Sequence, residues 1–226
     1  LTFELGRGDG LVVNGGEACQ VLACTVRRLG ATAIGVNKGK NHVVMACDLY
    51  TLGRGGLSVI GGDRRTLAAA GHVVENCHVY DFSRIDRTYT PAVLLAGVGN
   101  RVAHNLFYDC PSSAVRIEGN DHVIEYNEVY KAVLESDDQG AMELYGNPTY
   151  RGVVFRHNLF HQIGAASMKG VHGSAGIRLD DAISGLLVYG NVFWRAAKGN
   201  FGGVQITSGR DNIIDNNLFI DCKQGV

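Results

Sequence analysis

The side chains of this 226-residue chain that are best suited to catalysis are five carboxylates, which fall within two neighbouring sequence repeats. Carboxylates gathered in one patch repel one another unless some hold protons, and this allows a proton donor and a proton acceptor to coexist at neutral pH. Such a pair can perform general acid and base catalysis. The five are Asp137 and Asp138 in an acidic loop, Glu143 in the strand after it, and Asp180 and Asp181 about one repeat later.

A repeat running the length of the chain is what would bring these carboxylates together. A small polar or thiol residue, followed two places later by an apolar one, recurs at intervals of about 22 to 33 residues. Intervals of this length are typical of stacked repeats. The polar or thiol positions are Cys24, Cys47, Cys77, Asn105, Asn127, Asn158, Asn191 and Asn217.

A second strand precedes each of these positions. Residues 114–118, 141–145 and 176–180 alternate apolar and outward side chains, as a half-buried strand requires. Strand, corner, strand and loop, repeated without a helical pattern, predict an all-β fold: a right-handed parallel β-helix (solenoid) of about eight coils. An Asn/Cys ladder would fill one interior corner, with Cys24, Cys47 and Cys77 as buried free thiols.

If the coils stack about 4.8 Å apart, the outward side chains of successive strands form columns on one face. Alternating charges on such a face are worth only a few tenths of a kcal/mol per pair, so the alternation alone does not indicate function. Glu143 and Asp180 would have backbones roughly 8 Å apart, within the ~6.5–9.5 Å that inverting glycoside hydrolysis needs. One predicted column holds Leu94, Arg116, Glu143, Arg178 and Gln205; the next holds Ala96, Glu118, Tyr145, Asp180 and Thr207.

Composition narrows the classes of partner. With 21 basic and 22 acidic side chains, the chain has no electrostatic feature that favours nucleic acid or an anionic membrane. No run of about 18 apolar residues predicts a membrane span. Because the repeat runs from end to end, a single domain over residues 1–226 is predicted, and the chain reads as an excerpt of a longer one. The oligomeric state is left open.

Several segments resemble a known family. Residues 71–78, 84–93, 119–128, 138–141 and 179–185 are similar to right-handed parallel β-helix repeat proteins of bacteria, within the wider pectate-lyase-like superfamily. Among the enzymes of this set, the chain resembles glycoside hydrolase family 141, which acts on plant cell-wall glycans. The resemblance covers nearly the whole chain. It implies an extracellular or periplasmic protein in which two aspartates on neighbouring coils perform acid and base catalysis.

Carried onto this sequence, the resemblance implies roles for individual residues. Asp138 would be one catalytic partner, and Asp180 or Asp181 the other. The hypothesis is an enzyme that hydrolyses glycosidic bonds of a plant cell-wall or other acidic polysaccharide through paired carboxylates, without a metal or cofactor. The substrate-binding residues would be Arg116, Glu118, Glu143, Tyr145 and Arg178.

Two other functions stay open at this point. A polysaccharide lyase on the same fold would use Arg116 or Arg178 to abstract a proton next to a uronate, with Ca²⁺ held by the aspartates. The other open possibility is a non-catalytic β-helix that binds glycan or serves a structural role, because fold alone does not establish catalysis.

Overall fold

The computed structural model describes residues 1–165 and 172–226, and within them the ordered elements are 26 short β-strands. The first nine are β1 (Thr2–Glu4), β2 (Leu11–Asn14), β3 (Gln20–Leu22), β4 (Thr25–Leu29), β5 (Ile34–Asn37), β6 (Val43–Met45), β7 (Asp48–Leu52), β8 (Leu57–Gly61) and β9 (Val73–Glu75). The next nine are β10 (His78–Tyr80), β11 (Val93–Val98), β12 (Arg101–Ala103), β13 (Leu106–Tyr108), β14 (Val115–Asn120), β15 (Val123–Glu125), β16 (Glu128–Tyr130), β17 (Gln139–Tyr145) and β18 (Val154–Arg156). The last eight are β19 (Leu159–His161), β20 (Gly173–Asp180), β21 (Leu187–Tyr189), β22 (Val192–Trp194), β23 (Ala197–Gly199), β24 (Val204–Ile206), β25 (Ile213–Asp215) and β26 (Leu218–Ile220).

Successive strands go to three different sheets, so the chain winds as a coil with three faces. Sheet 1 has the order β1-β4-β7-β10-β13-β16-β19-β22-β26, and sheet 3 has the order β3-β6-β9-β12-β15-β18-β21-β25. Sheet 2 runs β2-β5-β8-β11-β14-β17-β20, and β24 continues it beside β20. These pairings are parallel, whereas β23 adds to β20 in the antiparallel sense. The predicted all-β, right-handed parallel β-helix is confirmed.

The interior is apolar because alternate residues of every strand point inward. Ile34, Leu57 and Val115 are at most 1% exposed, as the alternation predicts. Phe160, Phe193 and Phe219 stack ring on ring across three coils, with centroids 4.9 Å apart. In the described part of the chain, no helix is long and apolar enough to cross a bilayer.

The asparagine ladder is present in one interior corner. The Nδ2 atom of each asparagine donates to Oδ1 of the next, at 2.9 Å from Asn105 to Asn127 and 3.0 Å from Asn127 to Asn158. The same Oδ1 atoms accept the backbone N–H of the preceding rung. Asn191 and Asn217 extend the ladder in the same way. The side-chain amides of this ladder are therefore paired with one another, as buried polar groups require.

Cysteines complete this corner towards the N-terminus. Cys77 donates its backbone N–H to Asn105 Oδ1 at 2.8 Å, which joins the two parts of the ladder. The thiols of Cys24, Cys47 and Cys77 are buried and contact the carbonyl oxygen two residues earlier. All six cysteines are free, so the predicted ladder of buried free thiols is confirmed.

A second ladder, which the sequence interpretation missed, occupies another corner. Nδ1 of His72 accepts the backbone N–H of His42, and Nδ1 of His122 accepts that of Asn100. Asn100 takes the same place as the histidines, because its Oδ1 accepts the N–H of His72. Each ring must keep Nδ1 unprotonated to accept, so this ladder requires neutral histidines.

Candidate active site

The predicted charge column lies on the outer face of sheet 2. Arg116 is the register partner of Glu143, and Glu143 is the partner of Arg178. Leu94 precedes this group and Gln205 follows it. A guanidinium nitrogen of Arg116 lies 3.1 Å from Glu143 Oε1. The first column is therefore confirmed residue by residue.

The second predicted column is interrupted, and this prediction was wrong. Ala96 pairs with Glu118, and Tyr145 pairs with Asp180, as expected. Between them, however, the pairing of β14 with β17 is confined to two positions and ends at Arg116 and Glu143. Glu118 and Tyr145 are thus not register partners. The strands separate there and leave a depression at the edge of the charge column.

Arg178 brings together two of the three predicted catalytic aspartates, Asp138 and Asp180. One of its terminal nitrogens lies 2.7 Å from Asp138 Oδ1 and 2.9 Å from Asp180 Oδ2. The two oxygens can therefore be no farther apart than the sum of these contacts, which is less than 6 Å. Thr207 donates its hydroxyl to the other oxygen of Asp180 at 2.8 Å. Carboxylates from neighbouring coils thus converge on a single cation.

Glu143 differs from the solvated strand residue that the outward alternation suggested. It is only 3% exposed, because loops pack over the face that carries it. Its Oε1 accepts from the Ser113 hydroxyl at 2.7 Å and from Arg116. Burial raises the pKa of Glu143, although hydrogen bonding by Ser113 and the charge of Arg116 oppose the shift. Burial thus favours the protonated form of this carboxyl group more than water does.

Two loops close over this face and form the walls of the site. The loop before β11 carries Arg87, whose Nε donates to Glu135 Oε2 at 2.9 Å in the loop before β17. The same loop carries Tyr89, whose ring lies 4.9 Å from the guanidinium carbon of Arg116. Asp137 of the second loop accepts the backbone N–H groups of residues 172 and 173 at 3.1 and 2.7 Å. The walls are thus held by specific contacts.

The result is an open depression of about 420 Å³, termed the cleft. Two arginines and four carboxylates face it, together with two aromatic rings. A mixture of charged, polar and aromatic groups in one concave site is typical of a binding site for a polar ligand. The cleft is lined by Tyr89, Arg116, Asp137, Asp138, Gln139, Glu143, Tyr145, Arg178 and Asp180.

Six of the eight predicted site residues line the cleft, and the other two lie beside it. Asp181 is exposed at the corner after β20 and faces a neighbouring depression that also includes Asp138 and Asp180. Glu118 faces the depression where β14 and β17 separate. The six in the cleft are Arg116, Asp138, Glu143, Tyr145, Arg178 and Asp180.

Several residues of the site were missed by the sequence reasoning. Tyr89 belongs to a loop without periodicity, and no pattern in the sequence relates it to Arg116. Ser113 lies two residues before β14 and contacts Glu143, and Gln139 is the first residue of β17 and contacts Ser112. A hydroxyl residue just before a strand whose register partners are charged is the one signal that could have indicated Ser113.

The aspartates do not form the Ca²⁺ site that a Ca²⁺-assisted lyase would use. A Ca²⁺ site needs six to eight oxygen ligands directed at one point. Here Asp138 and Asp180 already pair with Arg178, and Asp137 accepts hydrogen bonds from backbone N–H groups. Within residues 1–165 and 172–226, no group of three or more His, Cys, Asp or Glu side chains is arranged to hold a metal ion.

Comparison with known proteins agrees with this architecture. The family described as "Right handed beta helix region" matches residues 9–181 and 91–226, which together cover most of the chain. The chain belongs to this β-helix family. No curated protein matches it.

Two solved structures are similar to this β-helix protein. One, described as "Glycoside hydrolase", is 16% identical with a TM-score of 0.61, and covers 89% of this chain. The β-helix protein spans only 38% of that structure's length. The other is described as an alginate lyase from Paenibacillus sp. str. FPU-7; it is 12% identical with a TM-score of 0.46, and covers 96% of this chain and 89% of its own. At 16% identity, the likeness to the glycoside hydrolase structure establishes the fold alone.

Proposed function

We propose that this β-helix protein is a carbohydrate-active enzyme that hydrolyses glycosidic bonds in the cleft. The observation that carries the proposal is the convergence of Asp138 and Asp180 on one nitrogen of Arg178, beside the buried Glu143. Three carboxyl groups in different surroundings can divide the roles of acid and base. The likeness to a glycoside hydrolase and the pectate-lyase-like fold support the same class.

The shape and lining of the cleft suit a sugar polymer. Tyr145 is 55% exposed, so its ring offers a face against which a sugar ring can pack. A groove beyond Tyr89, lined by Ser58 and Leu94, continues the cleft towards the N-terminus. The register column from Ser58 to Gln205 crosses six strands, or about five spacings of ~4.8 Å. This length accommodates several sugar units along the stacking direction.

In the proposed reaction, Glu143 is the proton donor. Its Oε1 accepts from Ser113 and Arg116, so Oε2 carries the proton, which passes to the glycosidic oxygen as its bond to the anomeric carbon breaks. Asp138 and Asp180 hold the attacking water between them, since one water with two hydrogen bonds of about 2.8 Å spans their separation. An aspartate takes the water proton as the new C–O bond forms.

Asp180 is the aspartate proposed as this base, because it lies on the same face of the sheet as Glu143, two residues beyond the register partner of Glu143. Hydrolysis is preferred over elimination because Arg178 already pairs with Asp138 and Asp180, and Arg116 lies 3.9 Å from Glu118 and donates a hydrogen bond to Glu143. An arginine held in this way is a poor base and leaves no free cation to receive a uronate.

The proposal also covers the setting of the reaction. A polysaccharide is the partner, no metal or cofactor is needed, and residues 1–226 act as a single domain. Cell-wall polysaccharides lie outside the cytoplasm, so a protein that hydrolyses them would work extracellularly or in the periplasm.

Product analysis tests the proposal directly. Incubation with pectic, xylan and alginate glycans, monitored for reducing ends and for unsaturated-uronate absorbance, should give reducing ends alone. Asp180→Asn should lower kcat by about 10²–10⁴, because the water loses its base. Asp221→Asn is a matched control, since Asp221 is an exposed aspartate that pairs with Arg195 away from the cleft.

Three results would contradict the proposal. Unsaturated-uronate absorbance that rises with the reducing ends would assign the protein as a lyase. Equal activity of Asp180→Asn and Asp221→Asn would remove Asp180 from the reaction. Binding of glycans without either product would leave a binding module.

A further inference from the structure

A side pocket of about 350 Å³ opens off the cleft where β14 and β17 separate. The cleft and its two neighbouring grooves follow the stacking direction of the coils, from Ser58 to Gln205. The side pocket departs from that line, because it extends along β14 past Arg116 to Glu118, and strands run across the stacking direction. Tyr145 borders the cleft, the side pocket and the groove on the C-terminal side.

The wall of the side pocket is held in place before any ligand arrives. Arg64 donates to Asn120 Oδ1 at 3.0 Å and to the Thr149 hydroxyl at 2.6 Å, and its guanidinium carbon lies 4.5 Å from the Tyr150 ring centre. Asn120 in turn donates to the Thr149 carbonyl oxygen at 2.7 Å. Asn147 accepts the backbone N–H and the hydroxyl of Thr149. A preorganised pocket loses little entropy when it binds.

The chemistry of the pocket favours a neutral sugar. Two tyrosine rings, Tyr145 and Tyr150, line it. The side chain of Glu118 is 47% exposed. Arg116 also lines the pocket, but its side chain is only 20% exposed, and it lies between Glu118, 3.9 Å from its Nε atom, and Glu143, 3.1 Å from a terminal nitrogen. A carboxylate accepts hydrogen bonds from sugar hydroxyls and repels a uronate or sulfate. Aromatic rings pack against the apolar face of a sugar.

We propose that the side pocket binds a neutral sugar branch of a polysaccharide whose main chain lies along the cleft. This inference rests on the proposed function and adds a substrate class: glycans with short, neutral side chains. The branch leaves the main chain at the unit beside Tyr145, where the two directions meet. Uncharged linear polymers fill the cleft but leave the side pocket unused.

Gly146 allows the pocket to be filled selectively. It lines the side pocket with φ of 70°, and an added Cβ would meet nothing within 4 Å. Asparagine tolerates this left-handed conformation, so Gly146→Asn adds a side chain to the pocket with little backbone strain. Gly15 has φ of 67° and the same open surroundings at the N-terminal end of the chain. Gly15→Asn is therefore the matched control.

The experiment compares arabinoxylan, which carries neutral arabinose branches, with the same xylan after enzymatic removal of arabinose; galactomannan and its debranched form make a second pair. Binding is measured by calorimetry and hydrolysis by reducing ends. The wild type should prefer a branched polymer at least tenfold. Gly146→Asn should reduce this ratio at least tenfold, Glu118→Gln should reduce it less, and Gly15→Asn should preserve it.

The outcomes separate this inference from the proposed function. Hydrolysis with the same ratio in Gly146→Asn and the wild type would overturn the branch pocket alone. Binding without hydrolysis would overturn the proposed function, while the binding ratio still decides the branch pocket. Absence of binding to every polymer of both pairs would overturn both.

Discussion

The asparagine ladder and the charge column of the cleft are both columns of stacked residues. The ladder repeats one uncharged polar residue, whereas the charge column places residues of opposite charge next to one another. In the ladder, Asn127 stands between two identical residues, and its amide both donates and accepts at about 3.0 Å. In the charge column, Glu143 stands between two basic residues, Arg116 and Arg178. The spacing between coils is the same in both.

The difference shows what in-register stacking permits. An amide complements a copy of itself, so repetition at an interior corner pairs every buried group. A carboxylate does not complement a copy of itself, so an outward column of charges must alternate or separate. Residue types can therefore differ from coil to coil on the outer face of sheet 2. As a result, the carboxyl groups on this face differ in burial and in hydrogen-bond partners.

Glu143→Gln should give the largest effect and tests the cleft side of the comparison. Loss of the proton donor should lower kcat by about 10²–10⁴. The same change should stabilise the fold at neutral pH, because burial raises the pKa of Glu143 above its ordinary value. Stability of the wild type should fall as pH rises from the ordinary pKa through the raised one, and the glutamine variant should lack this decline.

The measurements are kcat and thermal unfolding as a function of pH. Glu128→Gln on sheet 1 is the control, because Glu128 is a half-exposed glutamate that pairs with His161 away from the cleft. Full activity in Glu143→Gln would remove this residue from the reaction. An unchanged pH slope would show that the carboxyl group is ionised in the folded protein.

Asn127→Leu tests the ladder side. The leucine would leave Asn105 without the acceptor for its backbone and side-chain N–H groups, and would leave Val102 without a donor. Each buried group left unpaired costs on the order of 1–3 kcal/mol, so unfolding should require several kcal/mol less. Chemical denaturation measures this. Asn217→Leu, at the partly exposed last rung, should cost less, and equal costs would contradict cooperative stacking.

His122→Asn tests the second ladder, which requires neutral histidines. Burial lowers the pKa of His122 to about 4 from an ordinary 6.5, so the unfolded chain binds the proton more readily. The stability contributed by neutral His122 is complete above pH 6.5 and is lost as pH falls towards 4, by up to roughly 3 kcal/mol. Asparagine should remove much of this acid sensitivity, since Asn100 already serves the same ladder. Thermal unfolding at several pH values measures the slope; equal slopes would contradict the assignment.

Sequence reasoning succeeded where contacts follow the register. The column of Arg116, Glu143 and Arg178 could be predicted because each parallel strand repeats the alignment of the one before it. It failed for Glu118 and Tyr145, because strand pairing stops at a position that no local pattern marks. Tyr89 and Ser113 were missed for a related reason, since side chains in loops and at strand entries carry no periodic signal.

By itself, the sequence determined the β-helix, its asparagine and cysteine ladder and the candidate carboxylates. Alternation and identical rungs are short-range rules, and each coil satisfies them with its immediate neighbours. The tertiary structure decided which carboxylate is buried, which pair shares Arg178, and where the side pocket opens. These features depend on loops that meet through contacts such as Arg87 with Glu135, 48 residues apart. Such contacts follow from how non-repeating segments pack, and a repeat pattern carries no information about them.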